Sequence, residues 1–451
     1  MRSLFVVVHR WAGLFTAVFL FIAGLTGAVI SWDHELDEWL NPHLFDVPAA
    51  SAGKAPLAPL DLAAKVEAAD PHAIVTYLPL QFEEGHNAAL SVEPGLDPKT
   101  GERYVLDYNQ AFVDPASGDI VGKRYWGRIS LDSENLLPFL YKLHYSMHIP
   151  AFAHIDSWGV WFMGIVGIVW LFDSFVGFYL TLPARSRRSS AAAAGAGAGG
   201  AIPSLDEGTA ESARRSWFQR WKPAWQIKRG ASTYRLNLDL HRAFGLWLWA
   251  MLLIIAFTSV SMNLGNEIVR PILNSISKLT PDAFDDRMPT ALNKPIVADV
   301  PFATAIETAK AEAARRGWDE PAGGAYYGLH YGLYAIMFHE PGGEHGSGGL
   351  GVKMLFVDGK SGALSGGRVP LEGTGADVFM QLQFPLHSGR IAGVPGRVLL
   401  SVMGLVVAML SITGIVIWFK KRQARTAAAW RSRQAKEAEA RAPAFGPSPA
   451  E

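Results

Sequence analysis

Hydrophobic residues gather into four long runs, at about Leu4–Ile30, Trp158–Leu182, Phe244–Asn263 and Val398–Phe419, separated by mixed polar stretches. A hydrocarbon core of roughly 30 Å takes about 20 apolar residues as a helix, so each run predicts a membrane-spanning helix. Trp32, Trp158, Trp161, Tyr179 and Trp418 flank the runs as an interfacial aromatic belt does. The first run follows one arginine, Arg2, as in a signal peptide, but it is about twice the length of a signal core. The SWDHELDEW that follows is a poor cleavage site, so the helix is expected to be retained.

The pattern repeats. HRWAGL from His9 returns as HRAFGL from His241, and Thr26 and Thr258 each stand seventeen residues after their histidines. Between the runs, FVDPASGDIVG (Phe112–Gly122) matches FVDGKSGALSG (Phe356–Gly366), each reading as strand, Asp-x-x-x-Gly turn, strand. Asp114 and Asp358 are therefore read first as turn formers and only second as ligand contacts. Helical stretches from Ala58 and Pro301 precede these hairpins, which predicts two small α+β units. LHYSMH from Leu143 and LQFPLH from Leu382 lead into the second and fourth runs. Ten residues separate His148 from Trp158 and His387 from Arg397, which aligns His148 with His387 and His144 with Gln383.

The expected fold is thus an α-helical membrane protein with four transmembrane helices as two pseudo-symmetric repeats, each with a small α+β outer domain. The boundaries are helix 1–30, outer domain 31–157, helix 158–182, basic linker 183–240, helix 241–264, outer domain 265–397, helix 398–419 and basic tail 420–451.

Net charge is +0, with 41 basic and 41 acidic residues, and gives no reason to expect nucleic acid; the distribution says more. Residues 183–240 carry ten Lys/Arg against four Asp/Glu, and the tail from Lys420 carries eight against three, which marks both as cytoplasmic. Segment 31–157 has eight basic against nineteen acidic residues and 265–397 has twelve against fourteen, as expected on the opposite, periplasm-like side. Ser189–Ala201 is a low-complexity run that reads as a flexible linker, and WFQRWKPAWQIKRG from Trp217 reads as a segment facing the lipid bilayer.

No cysteine is present, which excludes disulfides, thiolate-held clusters and c-type haem attachment. Histidine inside a membrane helix is costly without a partner. His9 and His241 fall near the cytoplasmic face, and His144, His148 and His387 near the other. Residues related by the duplication meet across a pseudo-two-fold axis, and two facing imidazoles suit axial ligation of a haem iron. Zinc or copper is the alternative, although zinc prefers three or four ligands; simple hydrogen bonding or snorkelling is a third. Arg10 and Arg242, and Arg390 and Arg397, follow these histidines and suit haem propionates, with headgroup anchoring as the other role for the inner two. The span glycines allow close approach of a helix or a flat macrocycle. Asp173 is the one acid within a run, open to proton handling or to a bond with a neighbouring span.

YRLNLDLHRAFGLW from Tyr234, WLFDSFVGFYLTLP from Trp170 and the stretch from Pro385 to Trp418 resemble the PepSY-associated transmembrane family of bacterial inner-membrane, iron-regulated proteins. The resemblance covers the chain apart from the linker and tail. It implies two periplasmic PepSY domains, two b-type haems and reduction of ferric siderophores in the periplasm, with both termini cytoplasmic. The implied ligands are His9, His241 and His387 with His148, or His144 in its place: YKLHYS favours His144, whereas spacing favours His148. Some relatives carry a flavin and nicotinamide module. No strand-linked Gly-x-Gly-x-x-Gly exists here, so a separate donor, a cytoplasmic flavoprotein or quinol, is expected. His339 and His345 in HEPGGEHGSGG are read as a solvated loop before iron contacts. Two other functions fit the resemblance: a membrane-anchored peptidase-binding regulator, and a b-type cytochrome serving another periplasmic acceptor.

Overall fold

A computed structural model of the chain describes residues 1–153, 155–183, 216–285 and 287–441. The run Ser189–Ala201 lies outside the described residues. The first apolar run forms one unbroken helix, α1 (Arg2–Ile30). Its buried threonines return their hydroxyl protons to carbonyls one turn back, Thr16 to Ala12 at 3.1 Å and Thr26 to Ile22 at 2.8 Å. That is how a hydroxyl is satisfied where water is absent.

Beyond α1 come α2 (Asp33–Leu40), α3 (Pro59–Ala69), α4 (Ser133–Ser146) and α5 (Trp158–Thr181) in the first half. The second half supplies α6 (Thr233–Trp247), α7 (Trp249–Asn263), α8 (Phe302–Arg315), α9 (Gln383–Ser388) and α10 (Gly393–Arg441). Among the described residues, α1, α5 and α10 are long and apolar enough to cross a membrane. The third apolar run differs from the straight helix expected over 241–264. It is a pair, α6 and α7, bent by 72°, and a fourth span results when the pair is counted as one. Leu248 between them leaves helical geometry at φ −110°, ψ 11°. The indoles on either side are tied to different segments, Trp247 donating to the Trp225 carbonyl and Trp249 to that of Ser174, both at 3.1 Å. Helix α6 also starts well before His241, with Ser232 as its cap, so His241 sits within a helix and not at its start.

The chain divides into two compact units. One comprises Met1–Phe21, Val169–Leu253 and Val406–Glu451; the other comprises Ile22–Ile168 and Ile254–Leu405.

Within the second unit each half contributes four strands: β1 (Ala73–Pro79), β2 (Ala88–Pro94), β3 (Gln110–Val113) and β4 (Ile120–Arg124), then β5 (Ala322–Gly328), β6 (Leu333–Phe338), β7 (Lys353–Asp358) and β8 (Leu364–Arg368). The two α+β units expected from the repeats are not separate. Their strands form one eight-stranded sheet, in the order β4-β3-β2-β1-β5-β6-β7-β8. The seam is the antiparallel pairing of β1 with β5, Tyr77 opposite Tyr326 and Pro79 opposite Gly324. Leu62 and Val66 of α3 and Ala305 and Ala309 of α8 join the strand side chains in one core. Joining the halves satisfies one edge strand of each with backbone hydrogen bonds that would otherwise face solvent.

The Asp–Gly motifs behave alike in both halves. Asp114 accepts from the Ala116 amide at 2.9 Å and from the Ser117 and Ser51 hydroxyls, and Asp358 accepts from the Ser361 amide at 2.7 Å and from Arg287 at 2.6 Å. Gly118 and Gly362 close the turns at φ 74° and 72°, left-handed values that favour glycine. Burial raises the Asp358 carboxyl, but the Arg287 and Ser361 hydrogen bonds outweigh it and hold the group well below its usual range. Both aspartates are turn formers.

Candidate functional site

Four histidines form two pairs. In the first unit His9 of α1 faces His241 of α6, with ring centroids 6.3 Å apart and planes inclined by 55°. In the second unit His144 of α4 faces His387 of α9, with centroids 6.1 Å apart and planes inclined by 64°.

Every one of the four uses its Nδ1 in the same way. His9 donates to both carboxylate oxygens of Asp173, at 3.0 and 2.9 Å. His241 donates to the Leu410 carbonyl at 3.1 Å and stands 2.9 Å from the Thr413 hydroxyl. His144 donates to the Ala23 carbonyl at 2.9 Å and stands 3.1 Å from Thr26, while His387 stands 3.0 Å from Thr258. Carboxylates and carbonyls only accept, and the three threonine hydroxyls already give their protons to helix carbonyls. The proton therefore sits on each Nδ1, which leaves Nε2 as the ligating nitrogen. That is the tautomer of a metal-ligating histidine with its second nitrogen held in place.

The spacing tests the fit to a metal held between two rings. With metal–nitrogen distances of about 2.0–2.1 Å and about 1.2 Å from nitrogen to ring centre, imidazoles on opposite sides of one ion have centroids roughly 6.4–6.6 Å apart. The observed 6.3 and 6.1 Å lie close to this. Among the described residues no group of three or more His, Cys, Asp or Glu gathers to hold a metal ion, so each pair offers two protein ligands. A planar tetradentate macrocycle would supply the donors that such a pair lacks.

Glycines open the space beside the rings. A Cβ on Gly177 would stand 3.3 Å from His9 Cε1, one on Gly414 3.3 Å from His241 Cε1, and one on Gly27 2.8 Å from His144 Cε1.

The expected alignment of His148 with His387 is corrected here. His148 gives its Nε2 proton to the Phe139 carbonyl at 3.0 Å and stacks on the Phe139 ring. His144 and His387 are the equivalents: each lies in the last turn of a short helix closed by a left-handed residue, Met147 or Gly389. Each also meets the threonine seventeen residues after its own half's first histidine. The loop after α4 runs over residues 147–157, eleven against the four of its counterpart at 389–392, so equal spacing to the following helix does not mark equivalent histidines.

The arginines separate. Arg10 and Arg242 each bury an Nε without a partner among the described residues, although Arg242 Nη2 donates to Asp239 at 2.9 Å and to the Pro223 carbonyl at 2.5 Å. Such orphaned donors suit an anionic group. Arg390 pairs with Asp33, at 3.5 Å. Arg397 is committed elsewhere: its fork binds both Glu35 oxygens at 2.6 and 2.7 Å, its Nε donates to the Ser31 carbonyl, and it lies over Trp32. Arg397 thereby holds Glu35 down to about 2.

His339 is buried at 5% exposure and donates to the Glu340 carbonyl, whereas His345 is exposed; neither joins a pair. Asp173, left open by the sequence, is the partner of His9. Thr413 and the Leu410 and Ala23 carbonyls carry no sequence signal. The roles of Thr26 and Thr258 were signalled only by their shared register.

A family model described as PepSY-associated TM region matches residues 6–421. No curated protein matches the chain.

Proposed function

The chain belongs to the PepSY-associated TM family, and from that premise we propose that it is a bacterial inner-membrane reductase holding two b-type haems, which passes electrons outward to ferric siderophores in the periplasm. The observation that carries this reading is the geometry of the two imidazole pairs, at 6.3 and 6.1 Å, with Nδ1 of all four rings held by an oxygen. A haem bound at such a pair supplies one-electron exchange between its ferric and ferrous states.

The residues divide the work by charge and position. His9 and His241 hold the cytoplasmic-side group, with Arg10 and Arg242 as cationic neighbours for its carboxylates. His144 and His387 would hold the periplasmic-side group, with Arg390, three residues beyond His387, as a cationic neighbour. Two groups suit a hydrocarbon layer of roughly 30 Å. A cytoplasmic flavoprotein or a quinol serves as donor; one hydroquinone gives two electrons and two protons, enough for two ferric ions. Reduction to Fe(II) weakens the hold of hard oxygen ligands, so the siderophore releases its iron. Both termini lie in the cytoplasm, in keeping with the basic linker and tail.

Purified full-length protein should show reducible b-type Soret and α bands. Reduced protein mixed with a ferric siderophore should reoxidise while a ferrous chelator develops colour. Absence of haem after expression with adequate haem supply rejects the proposal; haem that the siderophore does not reoxidise rejects the substrate.

A further inference from the structure

Three of the four paired histidines lean on neutral oxygens, and one leans on a charge. His241, His144 and His387 meet carbonyl or threonine oxygens, whereas both Asp173 oxygens face His9 Nδ1 at 2.9–3.0 Å. Asp173 is 8% exposed and lies in the apolar middle of α5. The duplication supplies an internal comparison. Gly177 faces His9 as Gly414 faces His241, and four residues before these glycines stand Asp173 and Leu410. Where the second half orients its histidine with the Leu410 carbonyl, helped by Thr413, the first half uses a carboxylate. Orientation alone does not call for that. A backbone carbonyl achieves it, and a buried carboxylate carries a desolvation penalty that the carbonyl avoids.

We propose that Asp173 is a positioning residue that makes the two histidine pairs unequal, setting a negative charge behind His9 so that a haem at the His9–His241 pair has a lower reduction potential than one at His144–His387. This rests on the haem reading of the pairs given above. A carboxylate on Nδ1–H makes the imidazole a stronger electron donor and favours the more highly charged ferric state. The resulting order of potentials favours electrons arriving at His9–His241 and leaving from His144–His387, which gives the conduit a direction without a moving part.

Spectroelectrochemical titration of the haem-loaded full chain decides it. Asp173→Asn keeps an acceptor and removes the charge. One midpoint, the lower, should move to more positive potential while the other stays. Asp173→Ser offers the kind of hydroxyl that Thr413 presents to His241 and should give the same shift, so loss of haem in one variant leaves the other to decide. Asp173→Glu, which returns the charge, should move the midpoint back. In a His144→Ala background the responsive wave should remain, which assigns it to the His9 pair. Unchanged midpoints in a variant that retains haem, or equal shifts of both, overturn the proposal. Wild-type protein without haem would instead end the reading of the pairs themselves.

Discussion

His144 and His387 face each other with ring centroids 6.1 Å apart, while His148, four residues further along, is bonded to the Phe139 carbonyl. Replacing His144 or His387 by alanine should therefore remove one b-type haem and leave the spectrum of the other. His148→Ala should leave both bound, because its ring serves only the end of α4. Haem quantification per chain and the reduced α band check this. Loss of haem in His148→Ala would reject the assignment.

His144 and His387 are held alike at Nδ1, the first by the Ala23 carbonyl with Thr26 and the second by the Ile255 carbonyl with Thr258. Thr258→Val removes the hydroxyl in nearly the same volume, at a cost of about 1 kcal/mol for the lost hydrogen bond. Thr26→Val should cost about the same. Haem retention during thermal unfolding should fall by a similar amount in the two variants, and a loss confined to one of them would show that the two histidines are not held alike.

A Cβ on Gly323 would lie 2.6 Å from both the His339 ring and its carbonyl oxygen, beside the β1–β5 seam. Gly323→Val should cost about 1–3 kcal/mol by overpacking. Because the halves share one sheet and one core, hydrogen exchange should accelerate in β1 and β2 as well as in β5 and β6. Acceleration confined to the second half would show that the halves unfold independently.

Glu35 is lowered from 4.5 to about 2, chiefly by its hydrogen bonds with Arg397. A carboxyl depressed in the folded state contributes stability that is present above its unfolded value of 4.5 and is lost as pH falls towards 2. Wild type should thus exceed Glu35→Gln in melting temperature at neutral pH, and the difference should shrink across that window. A constant difference would mean that the ionised pair is not its source.

Much of this was legible in the chain. Runs of membrane length announce α1, α5 and α10 because a helix in hydrocarbon needs a continuous apolar surface, and that requirement is one of composition. The Asp–Gly turns were legible because their chemistry is local: Asp114 and Asp358 bond to residues two and three positions away. The register of His9 with His241 and of Thr26 with Thr258 revealed the duplication before any contact was known.

Only the tertiary structure decided the rest, where the physics depends on distance in space. Spacing along the chain cannot see that the loop after α4 is longer, so it aligned His148 where His144 belongs. Edge strands join through backbone groups that every residue carries, so nothing in the side-chain pattern signals the β1–β5 seam. The break at Leu248 follows from indoles held by Trp225 and Ser174, both distant in sequence. The partner of Asp173 was likewise undecided until α1 and α5 were packed, since a carboxylate within a span is defined by what it touches, and here that is His9.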